Sequence, residues 1–299
     1  ALLADQSHLE QFEGYRHAVQ TAREPVENPR VYYQGVPGAY AEEAAALFFG
    51  EEIPRSSCAT WQGLFETLMR GEADYIVVPI ENSSTGSINA VYDLLAQHGA
   101  YVVGEQLVKV EHCLAVLPGT KLEDLSAVYS HEQGFFQSEA FLAKHSEWQQ
   151  HAVLNTAAAA KKVAEGKSRA QAAICSRRAA KLYGLETLCE EINTSKDNFT
   201  RFFIVSKAME IRAGSDKVSL MFTLPHEPGT LNSILGILAV HQMNMLRLES
   251  RPMPGKSWEY RFFVDVQGNL RDEAWNSVLF EILENTLTLR ILGNYRKGA

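Results

Sequence analysis

The sequence predicts an α/β protein in which two α/β lobes are followed by a separate, smaller βαββαβ domain. Three observations carry this reading. From Val31 to Val205, short β-branched and aromatic runs alternate with Ala- and Leu-rich segments at helical spacing. The stretch MEIRAGSD, Met209–Asp216, interrupts that alternation and marks a boundary. Beyond it the predicted elements fall in the order βαββαβ, that of a ferredoxin-like domain. The expected organisation is therefore an extension or linker over residues 1–30, a bilobal domain over 31–208 and a terminal domain over 217–292.

Residues 1–30 are polar, and TAREPVENPR reads as a linker, with Leu2, Leu3 and Leu9 spaced like the end of a helix. They fit either a simple extension or the remainder of an upstream domain. Strand Val31–Gln34 leads through a glycine-bearing turn to an Ala-rich helix from about Ala39 to Phe49. The next helix carries Trp61, Leu64, Phe65, Leu68 and Met69 on one face, and DYIVVPI supplies a short apolar strand. A helix over about Ser87–Gln97 and strands at Tyr101–Val103 and Cys113–Leu117 follow. After Gly119 come strand AVYS, a helix from about Gln133 to Lys144, helix TAAAAKKVAEG, strand AQAAIC, helix SRRAAKLYG and strand RFFIVS. Such alternation implies sheets covered by helices. The terminal domain reads as strand Lys217–Thr223, helix Gly229–His241, strand Met245–Glu249, turn MPGK, strand Trp258–Val266, helix Asp272–Leu283 and a last strand at Leu287–Ile291.

Composition narrows the function. The chain of 299 residues is 46% hydrophobic and 21% charged, which is globular, and its net charge of −8 argues against a general nucleic-acid binder. A locally positive pocket for a small anion is still compatible with that charge. Cys58, Cys113, Cys175 and Cys189 lie far apart and form no C-x-x-C pair, so they read as reduced, mostly buried thiols rather than a disulfide framework or zinc site. No run reaches the roughly 20 apolar residues that cross a bilayer, and the N-terminus is acidic where a signal peptide is basic. A soluble cytoplasmic protein is expected.

Four polar clusters sit where predicted strands meet helices. In YYQGVPGAY, Gly35 and Gly38 fit either a tight turn or a cradle of backbone N–H groups for a carboxylate or phosphate; the pattern is neither a dinucleotide fingerprint nor a P-loop. In VVPIENSSTGS, an apolar strand ends in Glu81, Asn82, Ser83, Ser84, Thr85, Gly86 and Ser87. A helix cap needs one such residue, and the excess points to a polar pocket. YSHEQGFFQ places His131 and Gln133 at a helix entry, where His131 fits a cap, a bonded core residue or a ligand contact. In KDNFTRFFIVSK, Asn198, Thr200 and Arg201 surround the start of an apolar strand; Arg201 suits a carboxylate of either a ligand or the protein. Ligands of open α/β sheets bind in a crevice beyond the carboxyl ends of the strands, which suits three strand-end clusters, whereas Thr200 lies at a strand's start and must reach that crevice otherwise. The sequence has no H-E-x-x-H, no G-x-S-x-G and no zinc cysteine set, and hydrolysis through Ser83 would require a positioned His and acid.

GVPGAY, VVPIENSSTGS, SHEQ, NTAAAA and NFTRFF occur in the order and approximate spacing of a prephenate dehydratase, while PGTL and ESRP resemble its C-terminal ACT regulatory domain. The resemblance spans about Val31 to Leu292. It implies two α/β subdomains around a cleft, arranged like a periplasmic binding protein, and conversion of prephenate to phenylpyruvate with loss of water and CO2. It also implies no redox cofactor, no catalytic metal, a homodimer or homotetramer, and feedback inhibition by phenylalanine. Thr200 matches the family's catalytic threonine, with Glu81, Asn82 and Ser83 beside it. Gly38, Ala39, Tyr40, Ser84, Thr85, Gly86, His131, Gln133, Asn198, Phe199, Arg201 and Phe202 are the implied substrate contacts, Phe199 and Phe202 by excluding water.

Two positions depart from the family's pattern: Ala41 stands where serine is common, and Glu132 where proline is. Acceptance of arogenate in place of prephenate within the family leaves the substrate open. For the effector, the resemblance implies Pro228, Gly229, Thr230 and Leu231 in the glycine turn, Asn244 before the next strand, and Glu249, Ser250, Arg251 and Pro252 in ESRP. A bilobal sensor without turnover is the rival reading. An upstream chorismate mutase domain, as some relatives carry, needs more than residues 1–30, so mutase activity is not expected from this chain.

Overall fold

The structure, a computed structural model, describes residues 6–253, 255 and 259–298 of the 299-residue chain. Leu2, Leu3, part of the MPGK turn and Trp258 lie outside the described residues. Helix α1 (Gln6–Gln20) precedes β1 (Val31–Gln34), α2 (Tyr40–Phe49), β2 (Arg55–Cys58), α3 (Trp61–Met69), β3 (Tyr75–Asn82), the two-residue β4 (Gly86–Ser87), α4 (Asn89–His98), β5 (Tyr101–Lys109) and β6 (Cys113–Val116). Then come β7 (Ala127–Ser130), α5 (Glu132–Gln137), α6 (Glu139–Leu142), β8 (Gln149–Ala152), α7 (Thr156–Gly166), β9 (Gln171–Cys175), α8 (Arg177–Leu182), β10 (Glu186–Cys189) and β11 (Phe199–Ser206). The chain closes with β12 (Lys217–Thr223), α9 (Thr230–Val240), β13 (Met245–Pro252), β14 (Tyr260–Gln267), α10 (Ala274–Glu284) and β15 (Thr288–Tyr295).

These elements form three sheets, ordered β2-β1-β3-β11-β5 with β4 beside β3, β10-β6-β9-β7-β8, and β13-β14-β12-β15. The βα crossovers make β1 parallel to both β2 and β3, and β7 parallel to both β8 and β9. By its contacts the chain divides into two units. One gathers Asn28–Val91 and Gln106–Phe202; the other gathers the chain up to Glu27, Tyr92–Glu105 and everything from Phe203 on.

In the first unit, alternation along the strands of the second sheet sends side chains to both faces. Cys113 and Ala115 of β6 pack under the alanines of α7, while Leu114 and Val116 pack with Val128, Trp148 and Ile174 on the other face. Side-chain caps start the helices: Thr60 accepts from the Gly63 amide at α3, Asn155 from Ala158 at α7, and Ser176 from Ala179 at α8. The helix expected over Gln133–Lys144 is instead broken at Ser138. Its break has a local cause. The Gln137 carbonyl accepts from the Thr194 amide at 2.7 Å and the Ala140 amide donates to Thr194 Oγ1 at 3.1 Å, so a crossing segment takes groups that a continuous helix would pair.

The second unit carries the predicted βαββαβ order, with every pairing in its four-stranded sheet antiparallel. Helix α1 belongs to this unit: Val19 is buried in its core, and the Phe12 ring meets Phe280 edge-on at 5.3 Å. Tyr92–Glu105 also belongs here, although the sequence grouped it with the bilobal domain. Arg290 donates to the carbonyls of Leu95 and Ala100, and Arg251 pairs with Asp93 at 2.8 Å. Gly293 lies so close to the Val102 backbone that any side chain there would strike its carbonyl. The Lys217 ammonium sits 2.6 Å from Glu105, both side chains 1% exposed, and the other Glu105 oxygen accepts from the Gly298 amide.

Removing one charge of so deeply buried a pair leaves the other desolvated. Lys217→Met is therefore expected to destabilise the protein by about 3–5 kcal/mol in urea denaturation, and adding Glu105→Leu to recover most of that loss. A single variant as stable as the parent would show that the pair contributes nothing.

Candidate active site

The candidate site is built in the first unit, where the polar end of β3 meets the start of β11. Alternation along β11 buries Thr200 and Phe202 on one side and leaves Phe199 and Arg201 on the other. Asn82, 7% exposed, donates through Nδ2 to Thr200 Oγ1 at 3.0 Å and to Asn198 Oδ1 at 2.9 Å. Its Oδ1 accepts from Ser84 Oγ at 2.6 Å, Ser84 N at 3.0 Å and Thr85 N at 3.3 Å. That ring of donors fixes which end of the amide faces Thr200. The Thr200 oxygen is consequently an acceptor, and no partner among the described residues takes its own hydrogen.

A cavity of about 460 Å³ opens over this pair, a size suited to a small molecule. Its walls are Gln34, Tyr40, Trp61, Pro79, Asn82, Thr85, Ile88, Val110, His112, His131, Gln133, Gly134, Gln137, Leu154, Asn155, Thr156 and Thr200. No Lys, Arg, Asp or Glu is among them. His112 is 2% exposed, with Nε2 at 2.8 Å from Gln137 Oε1 and Nδ1 at 3.1 Å from the Tyr40 hydroxyl. Burial pushes His112 below the ordinary imidazole range, partly offset by the Gln137 bond, and holds the Tyr40 phenol well above its usual value. Both are neutral near pH 7. Gly134 is needed where it stands, because a Cβ there would lie 2.3 Å from Ser130 Oγ and 3.3 Å from Thr156 Cγ2.

Of the residues singled out in the sequence, Tyr40, Asn82, Thr85, His131, Gln133 and Thr200 line this cavity. Ser83, Ser84 and Asn198 hold its floor: Ser83 Oγ donates to the Asp197 carbonyl at 3.0 Å and accepts from the Phe199 amide at 2.9 Å. His131 is a cap, its Nδ1 accepting from the Gln133 amide at 3.2 Å, and Glu132 points to solvent. Arg201 pairs with Glu81 at 3.4 Å, and neither lines the cavity. Phe202 is buried, Phe199 is exposed at the surface, and Gly86 turns the short β3–β4 hairpin. Gly38 and Ala39 lie outside the lining, and the anion cradle considered for their turn is filled from within: the Gly38 amide donates to the Glu42 carboxylate at 2.5 Å and Ala39 to the Val36 carbonyl at 3.1 Å. The turn serves packing, since a side chain at Gly38 would meet Ala179 of α8.

Sequence reasoning missed His112, Gln137, Asn155 and Thr156 among the polar wall. Two had a signal. Asn155 and Thr156 begin the NTAAAA motif, and Gln137 stands four residues after Gln133, the spacing that shares a helix face. His112, beside an apolar strand, had none.

Residues 31–210 match the sequence profile of prephenate dehydratase. The chain belongs to the prephenate dehydratase family. It is 38% identical over 274 residues to the bifunctional chorismate mutase/prephenate dehydratase of Escherichia coli strain K12, covering 89% of this chain and 70% of that one. The solved structure titled as GqqA, a novel type of quorum quenching acylase, superposes with a TM-score of 0.81 at 29% identity, covering 90% of this chain and 98% of its own. A prephenate dehydratase from Arthrobacter aurescens, solved in complex with L-Phe, gives a TM-score of 0.80 at 30% identity over 89% and 90% of the two chains. This dehydratase is thus a lyase of aromatic amino acid biosynthesis.

In the dehydratase's second unit, a smaller cavity of about 100 Å³ is lined by Leu224, Pro225, His226, Glu227, Thr230, Leu231, Glu259, Tyr260 and Phe262. Gly229, at φ +87°, starts α9 in a backbone conformation that favours glycine, and Pro228 beside it is exposed. Asn244 bonds Gln267 at 3.4 Å, Glu249 pairs with Arg247 at 3.3 Å, and Ser250 and Pro252 lie on β13. None of these four lines that cavity. Among the described residues no group of three or more His, Cys, Asp or Glu is placed to hold a metal ion, and no helix is long and apolar enough to cross a membrane.

Proposed function

We propose that the cavity over Asn82 and Thr200 converts prephenate to phenylpyruvate, with Thr200 donating its hydrogen to the departing ring hydroxyl. The observation that carries this is the direction of the Asn82–Thr200 bond, which makes Thr200 an acceptor and leaves its O–H for a ligand. In the reaction the bond from the ring to its carboxylate breaks and releases CO2. Its electron pair enters the ring, and the opposite C–O bond breaks. Prephenate and one proton give phenylpyruvate, CO2 and water, and the gain of aromaticity supplies most of the drive. A threonine hydroxyl is a weak acid, so its contribution is a hydrogen bond strengthened as charge develops on the leaving oxygen.

The lining suits such a step. Without a cation beside it, the ring carboxylate loses no ion pair when it becomes neutral CO2. The N-terminus of α7, with Thr156 in the wall, offers a dipole and N–H groups for the other carboxylate. Gln34, Tyr40, Thr85, His112, His131, Gln133, Gln137 and Asn155 form the remaining polar wall, and the Glu81–Arg201 pair braces β3 and β11 behind it. Acyl hydrolysis is disfavoured: Ser83 and Ser84 spend their hydroxyl hydrogens on the Asp197 carbonyl and Asn82 Oδ1, not on a histidine.

Thr200→Ala is expected to lower kcat by about 10²–10³ with little change in KM, and Thr200→Ser to keep most of the activity. Assays on prephenate and arogenate, quantifying phenylpyruvate and phenylalanine, test the substrate at the same time. Near-normal turnover by Thr200→Ala would remove Thr200 from the chemistry, and a higher kcat/KM for arogenate would reassign the substrate while preserving the dehydration.

We also infer that the βαββαβ domain is an ACT domain through which phenylalanine regulates the enzyme. Its element order and the PGTL and ESRP motifs support this, as does the Arthrobacter aurescens relative solved with L-Phe. The cavity at Thr230 and Leu231 is smaller than the roughly 300–1,000 Å³ of ordinary small-molecule pockets, which favours a site completed by a second copy of the chain. Phenylalanine titrated into the full chain is expected to inhibit turnover and to stabilise a dimer or larger assembly in sedimentation. Asn244→Ala is expected to weaken its affinity tenfold or more. Inhibition of Asn244→Ala at unchanged phenylalanine concentrations would overturn this assignment of the effector site.

A further inference from the structure

A continuous series of hydrogen-bonded groups runs through the floor of the candidate active-site cavity, and it begins at a residue given no role so far. The His112 Nε2–Gln137 Oε1 separation is 2.8 Å, and the ring donates there when its single hydrogen is on Nε2, with the Tyr40 O–H then shared between the Glu111 carbonyl at 2.9 Å and His112 Nδ1 at 3.1 Å. Gln137 Nε2 in turn faces Ser84 Oγ at 3.4 Å, Ser84 Oγ donates to Asn82 Oδ1 at 2.6 Å, and Asn82 Nδ2 donates to Thr200 Oγ1 at 3.0 Å. In that tautomer every group in the series donates onward, and the last hydrogen is that of Thr200. Aligned series of this kind polarise one another, so a donor at the far end makes the Thr200 O–H a better donor.

We propose that His112 is a positioning residue for the dehydration, holding the Gln137 amide with its N–H toward Ser84 and so setting the direction of the series that ends at Thr200. It rests on the reading of Thr200 above. His112 is built for this: it is 2% exposed, its backbone N–H is tied to Asn193 Oδ1 at 2.6 Å, and Tyr40 closes its other ring nitrogen at 3.1 Å. Burial keeps the ring neutral, with one hydrogen to commit. That hydrogen decides which end of Gln137 it meets. Without it, nothing in the pair prevents the amide from reversing, and its oxygen would then compete with Asn82 for the Ser84 hydrogen.

The test compares His112→Phe, His112→Gln, Gln137→Ala and the double variant His112→Phe/Gln137→Ala in the full chain, with unfolding midpoints measured for each. His112→Phe is expected to lower kcat 10- to 100-fold with KM moved less than threefold, and His112→Gln, which keeps an N–H near the Nε2 position, to restore most of it. In the Gln137→Ala background His112→Phe is expected to have no further effect, because both act through one path. Losses that multiply in the double variant, or a His112→Phe enzyme within twofold of the parent, would overturn the proposal. Gln137→Glu keeps an acceptor for His112 but has no N–H for Ser84. Wild-type turnover by that variant would overturn the proposal even if His112→Phe did not fold. Thr200→Ala, assayed alongside, separates the two ideas: if it is inactive while the His112 variants are normal, only the role of His112 fails, and if it is active, both fail.

Discussion

The Asn82 amide is the joint on which the candidate active site depends. It lies buried between the end of β3 and the start of β11, and both of its ends are used. A buried amide of this kind contributes only about 1 kcal/mol net per bond, but leaving its partners unsatisfied costs about 1–3 kcal/mol each, so the arrangement is held more by the penalty for breaking it than by the gain from making it. The same amide orders the loop beyond β3. Ser84 and Thr85 fold their N–H groups onto its oxygen, the Ser83 amide reaches the Phe199 carbonyl at 2.8 Å, and Glu81 pairs with Ser87 across the short hairpin. A sequence rich in Ser, Thr and Asn at this point is therefore used for internal geometry at least as much as for contact with a ligand.

This bears on what could be read beforehand. The strands and helices found from the sequence are those with an apolar face to bury, such as β3, β9, α3 and α7. Besides the two-residue β4, the strands missed, β2, β8 and β10, stand at the edges of their sheets and carry polar sequences such as QQHA, all of whose residues are exposed. An edge strand pairs on one side and can lack a hydrophobic face, so alternation gives no sign of it. The βαββαβ order was legible, but the assignment of Tyr92–Glu105 to the same unit was not, because it rests on Arg290, Arg251 and Lys217 reaching residues more than a hundred positions away. Within the site, motif spacing led to Asn82 and Thr200. It did not lead to His112, whose significance comes from Gln137 and Tyr40 lying on either side of its ring.

The two units treat buried polarity in opposite ways, and the difference follows from what each must do. Around β12 charges are buried in company: Lys217 meets Glu105, and Asp265, its carboxyl raised above the usual range by burial, accepts from Ser219 Oγ at 2.5 Å. Such groups repay their desolvation only in one geometry, which suits a sheet that must keep its register. The cavity over Thr200 instead has no Lys, Arg, Asp or Glu in its walls, with the Glu81–Arg201 pair outside the lining and Glu132 at the surface. A fixed cation there would bind a carboxylate before reaction and give part of that stabilisation up as CO2 leaves. A directed series of neutral donors binds the ground state weakly and responds most when charge appears on the departing oxygen. On the proposed reading of this cavity, an acidic chain that acts on an anion is no contradiction, since dipoles and hydrogen bonds there can accept the substrate without a matching charge.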